Sequence, residues 1–142
     1  MPVYHFNEGQ LTLPASGRDC TTHIVRLPDL QAVLTISRDI LSKTMTLEDY
    51  VAAQIDKIRR DARDVQIQLL EFTDRQAGKC ICQFHCEARI AGQVHYQQQH
   101  IIQTGQVLLA LAWTLDHSFT EQDRQTWQYI VDSFTPREIS VE

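Results

Sequence analysis

Seven successive apolar residues, Val107-Leu108-Leu109-Ala110-Leu111-Ala112-Trp113, constrain this chain more than any other segment. The run is far shorter than the ~20 apolar residues that a membrane-crossing helix needs. Read within a strand from Gln106 to Thr114, it is apolar on both faces, which places it centrally in a sheet. The preceding strand, Val94 to Ile102, departs from alternation in the opposite sense. Its centre, Tyr96-Gln97-Gln98-Gln99-His100, presents amides on both faces. A buried glutamine costs stability unless its amide finds partners. Either one face of this strand is solvated, or the amides await something that brings polar groups to them.

The remaining segments fit around that sheet. Val3 to Leu13 contains a hairpin-like turn at Asn7-Glu8-Gly9, and a loop at Pro14-Ala15-Ser16-Gly17 ends it. Cys20 to Leu27 and Gln31 to Ser37 read as strands separated by Pro28-Asp29. A helix then starts at Thr46, a capping residue with Asp49 at the third helical position and Met45 and Tyr50 placed as a hydrophobic staple. Leu47, Tyr50, Val51, Ile55 and Ile58 keep helical spacing, and the helix is expected to end near Ala62 to Arg63. Val65 to Phe72 and Cys80 to Ala88 continue as strands through turns at Gln76-Ala77-Gly78 and Gly92, and Thr104-Gly105 leads into the apolar strand. A second helix starts at Thr120, with an acid three residues on at Asp123, carries the stripe Trp127, Ile130, Val131 and Phe134, and stops at Pro136. The tail from Arg137 is expected to fray. This order predicts one α+β domain over residues 1–142, an antiparallel sheet with two main helices.

Charge and motifs exclude several functions. A net charge of -5 argues against a nucleic-acid binder, which needs a basic stripe. Arg59, Arg60 and Arg63 cluster, but Asp56, Asp61 and Asp64 interleave with them as on a solvated helix face. Met1 to Phe6 lacks the charged and apolar regions of a secretory signal, so the expected location is the cytoplasm. Cys20, Cys80, Cys82 and Cys86 are then expected to be reduced thiols. Cys80-x-Cys82-x3-Cys86 invites a zinc reading, but Cys80, Cys82 and Cys86 share one parity of one strand while His85 points the opposite way. They read as core residues, with no metal and no cofactor expected. Asp116-His117-Ser118 offers the residue types of a triad, although sequence neighbours rarely point at one another. With no nucleophile elbow, metalloprotease helix or phosphate-binding loop, the chain is not expected to be an enzyme.

What remains is a mixed surface of hydroxyls, amides and branched aliphatics. Thr22 and Ile24 share a face of the second strand, and Val33, Thr35 and Ser37 share a face of the third. Gln54 lies within the apolar stripe of the first helix, and Gln98 stands between Tyr96 and His100. Small side chains permit close backbone approach, and amides can bond the few polar groups of an apolar helix. Transmembrane helices use both devices on one another in lipid.

Four segments carry a resemblance: Tyr4-x-Phe6-x-Glu8 with Leu11-x-Leu13-Pro14; Ile24-x-Arg26-Leu27-Pro28; Ser37-Arg38-Asp39; and Asp49-Tyr50-Val51-Ala52-x-Gln54. In this order the chain resembles the Eag chaperones, DcrB-like effector-associated proteins of bacterial type VI secretion. The similarity is strongest over the first 60 residues and returns around Gln98 and Val107 to Leu111. The resemblance implies a PsbP-like fold and a homodimer whose concave sheet faces form a claw. It implies a partner too, an effector whose N-terminal transmembrane helices are shielded before the effector is loaded onto its spike protein. Carried over by position, the aliphatic grip falls on Thr22, Ile24 and Thr35, and the hydrophilic contacts fall on Ser37, Gln54 and Gln98. Thr22 and Thr35 stand where the family pattern is aliphatic. Gln54 and Gln98 are expected to face one trough. The alternative is a non-catalytic adaptor that binds a folded partner through its sheet surface.

Overall fold

The computed structural model describes residues 3–15, 20–75 and 79–135. Strands β1 (Val3–Phe6) and β2 (Gly9–Thr12) form a hairpin of their own. β3 (His23–Leu27), a short 3-10 turn at Pro28–Leu30 and β4 (Ala32–Ile40) begin the main sheet. Helix α1 (Leu47–Asp61) follows, then β5 (Arg63–Arg75), β6 (Lys79–Ile90), β7 (Gln93–Thr104) and β8 (Val107–Leu115), and α2 (Glu121–Asp132) closes the fold. The main sheet has the order β3-β4-β8-β7-β6-β5, with antiparallel neighbours throughout. The architecture is the expected α+β one. The expected turn at Gln76-Ala77-Gly78, the helix stop at Pro136 and the tail from Arg137 lie outside the described residues.

β8 sits inside the sheet between β4 and β7, as its two apolar faces require. Its even positions face α1 and its odd positions face α2. Pairing with β8 also carries β4 to Ile40, beyond the expected end at Ser37, because the ladder is continuous from Ala32↔Leu115 to Ile40↔Val107. β3 begins later than expected, at His23 rather than Cys20.

Both helices begin at the expected caps. Thr46 Oγ1 accepts from the Asp49 N–H at 3.1 Å, and the Thr46 N–H donates to Asp49 Oδ2 at 3.3 Å. The same reciprocal pair joins Thr120 and Asp123, at 3.1 and 2.9 Å. Each pair satisfies donors that a helix start leaves without intrahelical partners. Two-residue loops join the later strands. Ala91 (φ 51°) and Gly92 (φ 82°) both adopt the left-handed region between the paired Ile90 and Gln93, the pattern of a type I′ hairpin turn.

The two faces of the sheet bury different cores. α1 lays Leu47 and Val51 over Cys82, Phe84, Cys86 and Ala88 of β6, and Ile101 and Leu108 complete that cluster. On the opposite face Trp127 of α2 stacks on Trp113 at 5.9 Å between ring centroids, beside Leu111 and Leu115. β5 stays in step with the α1 core through two register shifts, at Arg63/Gln66 and Gln68/Glu71. Asp64 (φ 52°) and Leu69 (φ 55°) lie in these bulges. The second bulge lets Ile67 and Phe72, of opposite parity, both reach the α1 side.

Candidate functional site

α1 packs over β5 and β6, at one side of the sheet, and beyond the buried Ile101 and Leu108 that face is left half-open. Strand alternation fixes which side chains line the opening. β4 contributes Thr35 and Ser37, paired with Ala112 and Ala110 of β8. β7 contributes Gln97 and Gln99, paired with Thr114 and Ala112. All seven are half-buried, covered below by the sheet and partly open above. Ile24, paired with Thr35 at the rim, is 61% exposed. A trough of about 480 Å³ separates the Gln97, Gln99 and Thr114 part of this floor from α1, whose wall carries Gln54 and Ile58 together with the charged Lys57 and Asp61.

The amides of the floor are organised by one another. The Gln99 Nε2 donates to Gln97 Oε1 at 2.6 Å, and the Gln97 Nε2 donates to Thr114 Oγ1 at 3.0 Å. This ladder fixes the side chains in place while leaving Gln99 Oε1 and the Thr114 hydroxyl hydrogen able to bond a partner.

Ile24, Thr35 and Ser37 lie along one side of the opening, and Gln54 lines its opposite wall. Thr22 is exposed just ahead of β3, outside the strand in which it was expected. Gln98 is set apart from all of them, and here the expectation must be corrected. Gln98 is 3% exposed and faces α2, so it does not meet Gln54 in one trough. Adjacent strand residues point to opposite faces, so Gln97 and Gln99 occupy the groove and Gln98 cannot. Instead its Nε2 bonds His85 Nε2 at 2.6 Å, in line with Trp113 on the other neighbouring strand. Burial, aided by Arg124, holds His85 below its ordinary pKa, so the imidazole is neutral and accepts from the amide. One clue to the assignment was already in the chain: Cys82, Phe84 and Cys86 mark the apolar face of β6, and pairing places Gln97 and Gln99 on it.

The other candidate chemistry resolves into structural roles. Cys82 and Cys86 are buried beneath α1 while His85 faces α2. Burial pushes the Cys82 thiol up to about 12, which keeps it protonated. Among the described residues no cluster of His, Cys, Asp and Glu is arranged to hold a metal ion. Contrary to expectation, the neighbours Asp116 and His117 do touch: His117 Nδ1 lies 3.0 Å from Asp116 Oδ1, and its Nε2 lies 3.1 Å from Asp123 Oδ2. Since Asp123 is also the capping carboxylate of α2, this bridge anchors the helix start. Among the described residues no helix is long and apolar enough to cross a membrane.

The DcrB family model matches residues 8–133. The chain belongs to the DcrB family. Among solved structures, this DcrB-family chain is similar to PA94 from Pseudomonas aeruginosa, a protein of unknown function, with 20% identity and a TM-score of 0.74. That match covers 98% of this chain and 99% of the other. It is also similar to the cyanobacterial PsbP of Synechocystis sp. PCC 6803, with 11% identity and a TM-score of 0.55 over 87% of this chain and 75% of that one. At these identities the likeness concerns the fold, which is PsbP-like. No curated protein matches the sequence.

Proposed function

We propose that this DcrB-family protein is a secretion chaperone that shelters N-terminal transmembrane helices of a type VI effector and helps load the effector onto its spike protein. The observation that carries the reading is the half-open groove with alanines in its floor and an amide ladder beside them. Ala110 and Ala112 let a helix backbone approach closely, and Ile24 at the rim and Ile58 on the α1 wall supply apolar surface. Gln97, Gln99, Thr114, Ser37 and Gln54 replace the polar contacts that a neighbouring helix gives in lipid, each worth roughly 1 kcal/mol. Each methylene of the client removed from water adds about 0.8 kcal/mol. The revised contact set exchanges Gln98 for Gln97 and Gln99.

Dimensions explain why a second copy is part of the proposal. The open floor from Ala110 to Thr114 runs roughly 13 Å at strand rise. A 20-residue apolar helix is about 30 Å long. One groove therefore covers less than half of such a helix, and on one side only. A homodimer with facing grooves would enclose it.

Co-expression with the N-terminal segment of an effector encoded beside this chain tests the reading. The segment is expected to remain in the soluble fraction and co-purify with the protein. A segment that aggregates equally with and without the protein contradicts it.

A further inference from the structure

The main sheet ends in two unlike edges. An edge strand presents a row of unpaired N–H and C=O groups, and natural sheets blunt such edges with bulges and charged side chains. β5 is blunted in both ways. Two register shifts break its ladder with β6, Asp64 and Leu69 enter the left-handed region there, and Arg63, Asp64 and Glu71 lie along it. β3 is not blunted. Its pairing with β4 runs unbroken from His23↔Ile36 to Leu27↔Ala32, and among the described residues no strand pairs with its outer side. His23 to Arg26 are all exposed, Ile24 at 61% and Val25 at 41%.

We infer that β3 is a seam, which pairs antiparallel with β3 of a second copy about a two-fold axis at Val25. That register uses the whole strand. It sets Val25 opposite the partner's Val25, Ile24 opposite the partner's Arg26 and His23 opposite the partner's Leu27. Centred at Arg26, the pairing would set two guanidinium groups side by side and draw Pro28, which has no N–H, into the ladder. Centred at Ile24, it would match Leu27 with Thr21, which lies outside the strand. The axis stands normal to the sheet, so both open faces lie on one side of the joined sheet. Each groove is open toward β3, and the two therefore face each other across the seam with the α1 helices as outer walls.

Resting on the helix-sheltering reading, the seam completes the site. Across the strands, one copy offers β3, β4, β8 and β7, about 14 Å at strand spacing, again less than half of a helix about 30 Å long. Two copies joined at β3 offer eight strands, about 34 Å. An apolar helix then lies across the seam, over Ile24 and Thr35 of both copies, and its two ends reach the Gln97 and Gln99 of each. The second copy supplies the half of the floor that one groove lacks. β3 brings 5 residues to the seam. A stable interface uses roughly 20–30 a side, so the pair is weak until the helix covers it.

Cysteine cross-linking reads the register. In a Cys20→Ser, Cys80→Ser background, with a synthetic leucine–alanine helix of about 20 residues present, Val25→Cys is expected to form a disulfide-linked dimer on mild oxidation. His23→Cys and Leu27→Cys should each stay uncoupled alone and couple when mixed. Adding the helix should raise the Val25→Cys yield several-fold. Val25→Lys, a charge on the seam, should keep the native circular dichroism, remain monomeric and lose the helix on gel filtration. Self-coupling of His23→Cys as readily as of Val25→Cys overturns the seam. A helix that is retained yet leaves the Val25→Cys yield unchanged overturns its placement across the seam. Full retention by a folded, monomeric Val25→Lys does the same and leaves helix sheltering standing. If the native protein does not retain the helix, sheltering fails, and the seam stands or falls on the cross-linking register alone.

Discussion

Gln97, Gln98 and Gln99 are chemically identical, yet strand alternation gives them different surroundings. Gln98 is a structural residue whose amide bonds His85 in the interior between the sheet and α2. Gln98→Ala should destabilise the fold by about 2–3 kcal/mol in urea unfolding, through the cavity and the imidazole left without its donor. A loss below about 0.5 kcal/mol would show that the contact carries little. Gln97→Ala should cost less than about 1 kcal/mol, because water can replace its half-buried partners. At the start of α2, hydrogen bonding to Asp116 and Asp123 raises the pKa of His117 above its usual 6.5. Burial of Asp123 opposes ionisation, but hydrogen bonds from Thr120 and His117 outweigh it and hold the carboxyl below 3.8. The His117 contribution is complete below pH 6.5 and disappears as pH rises through its raised folded value. The Asp123 contribution is present above pH 3.8 and is lost as pH falls through its depressed folded value. The stability gap between the native protein and His117→Gln should therefore be larger near pH 5.5 than near pH 8.5, and a gap indifferent to pH would refute the bridge.

At the scale of elements, local chemistry that acts within a few residues was the most legible. Thr46 with Asp49 and Thr120 with Asp123 announced both helix starts, and each pair is present as a reciprocal cap. The doubly apolar Val107–Trp113 run announced the interior position of β8. Which face of β7 lies toward the groove was not legible, because that strand carries amides on both sides and its parity is decided only by pairing with β6. The contact between Asp116 and His117 was also hidden, since it depends on the chain turning from β8 into α2. One turn carries strain that can be relieved. Ala91 holds φ 51° with a Cβ, a conformation asparagine tolerates better. Ala91→Asn should raise stability by about 0.5–1 kcal/mol in urea unfolding, and an unchanged or lower midpoint would contradict the assigned turn. Trp127→Ala, which removes the stack on Trp113, should cost about 3–5 kcal/mol and loosen α2 first, as read by amide exchange. Protection of α2 equal to that of the native protein would contradict this docking.

Over the whole molecule, two helices on opposite faces divide the sheet unequally. α2 and Trp113 close one face, while α1 sits far enough to the side that β4, β8 and part of β7 keep an open surface on the other. The sequence resemblance pointed to a groove, but only the sheet order shows that β4, β8 and β7 supply its floor. Groove occupation by an apolar helix is therefore the central claim, and filling the floor tests it most directly. Ala112 lies between Thr35 and Gln99, half-buried and facing the opening. Co-elution of a leucine–alanine helix of about 20 residues should be measured for the native protein and for Ala112→Phe, alongside circular dichroism. The account predicts that the native protein retains the helix and that Ala112→Phe loses it with an unchanged spectrum. Equal retention by a folded Ala112→Phe would contradict it.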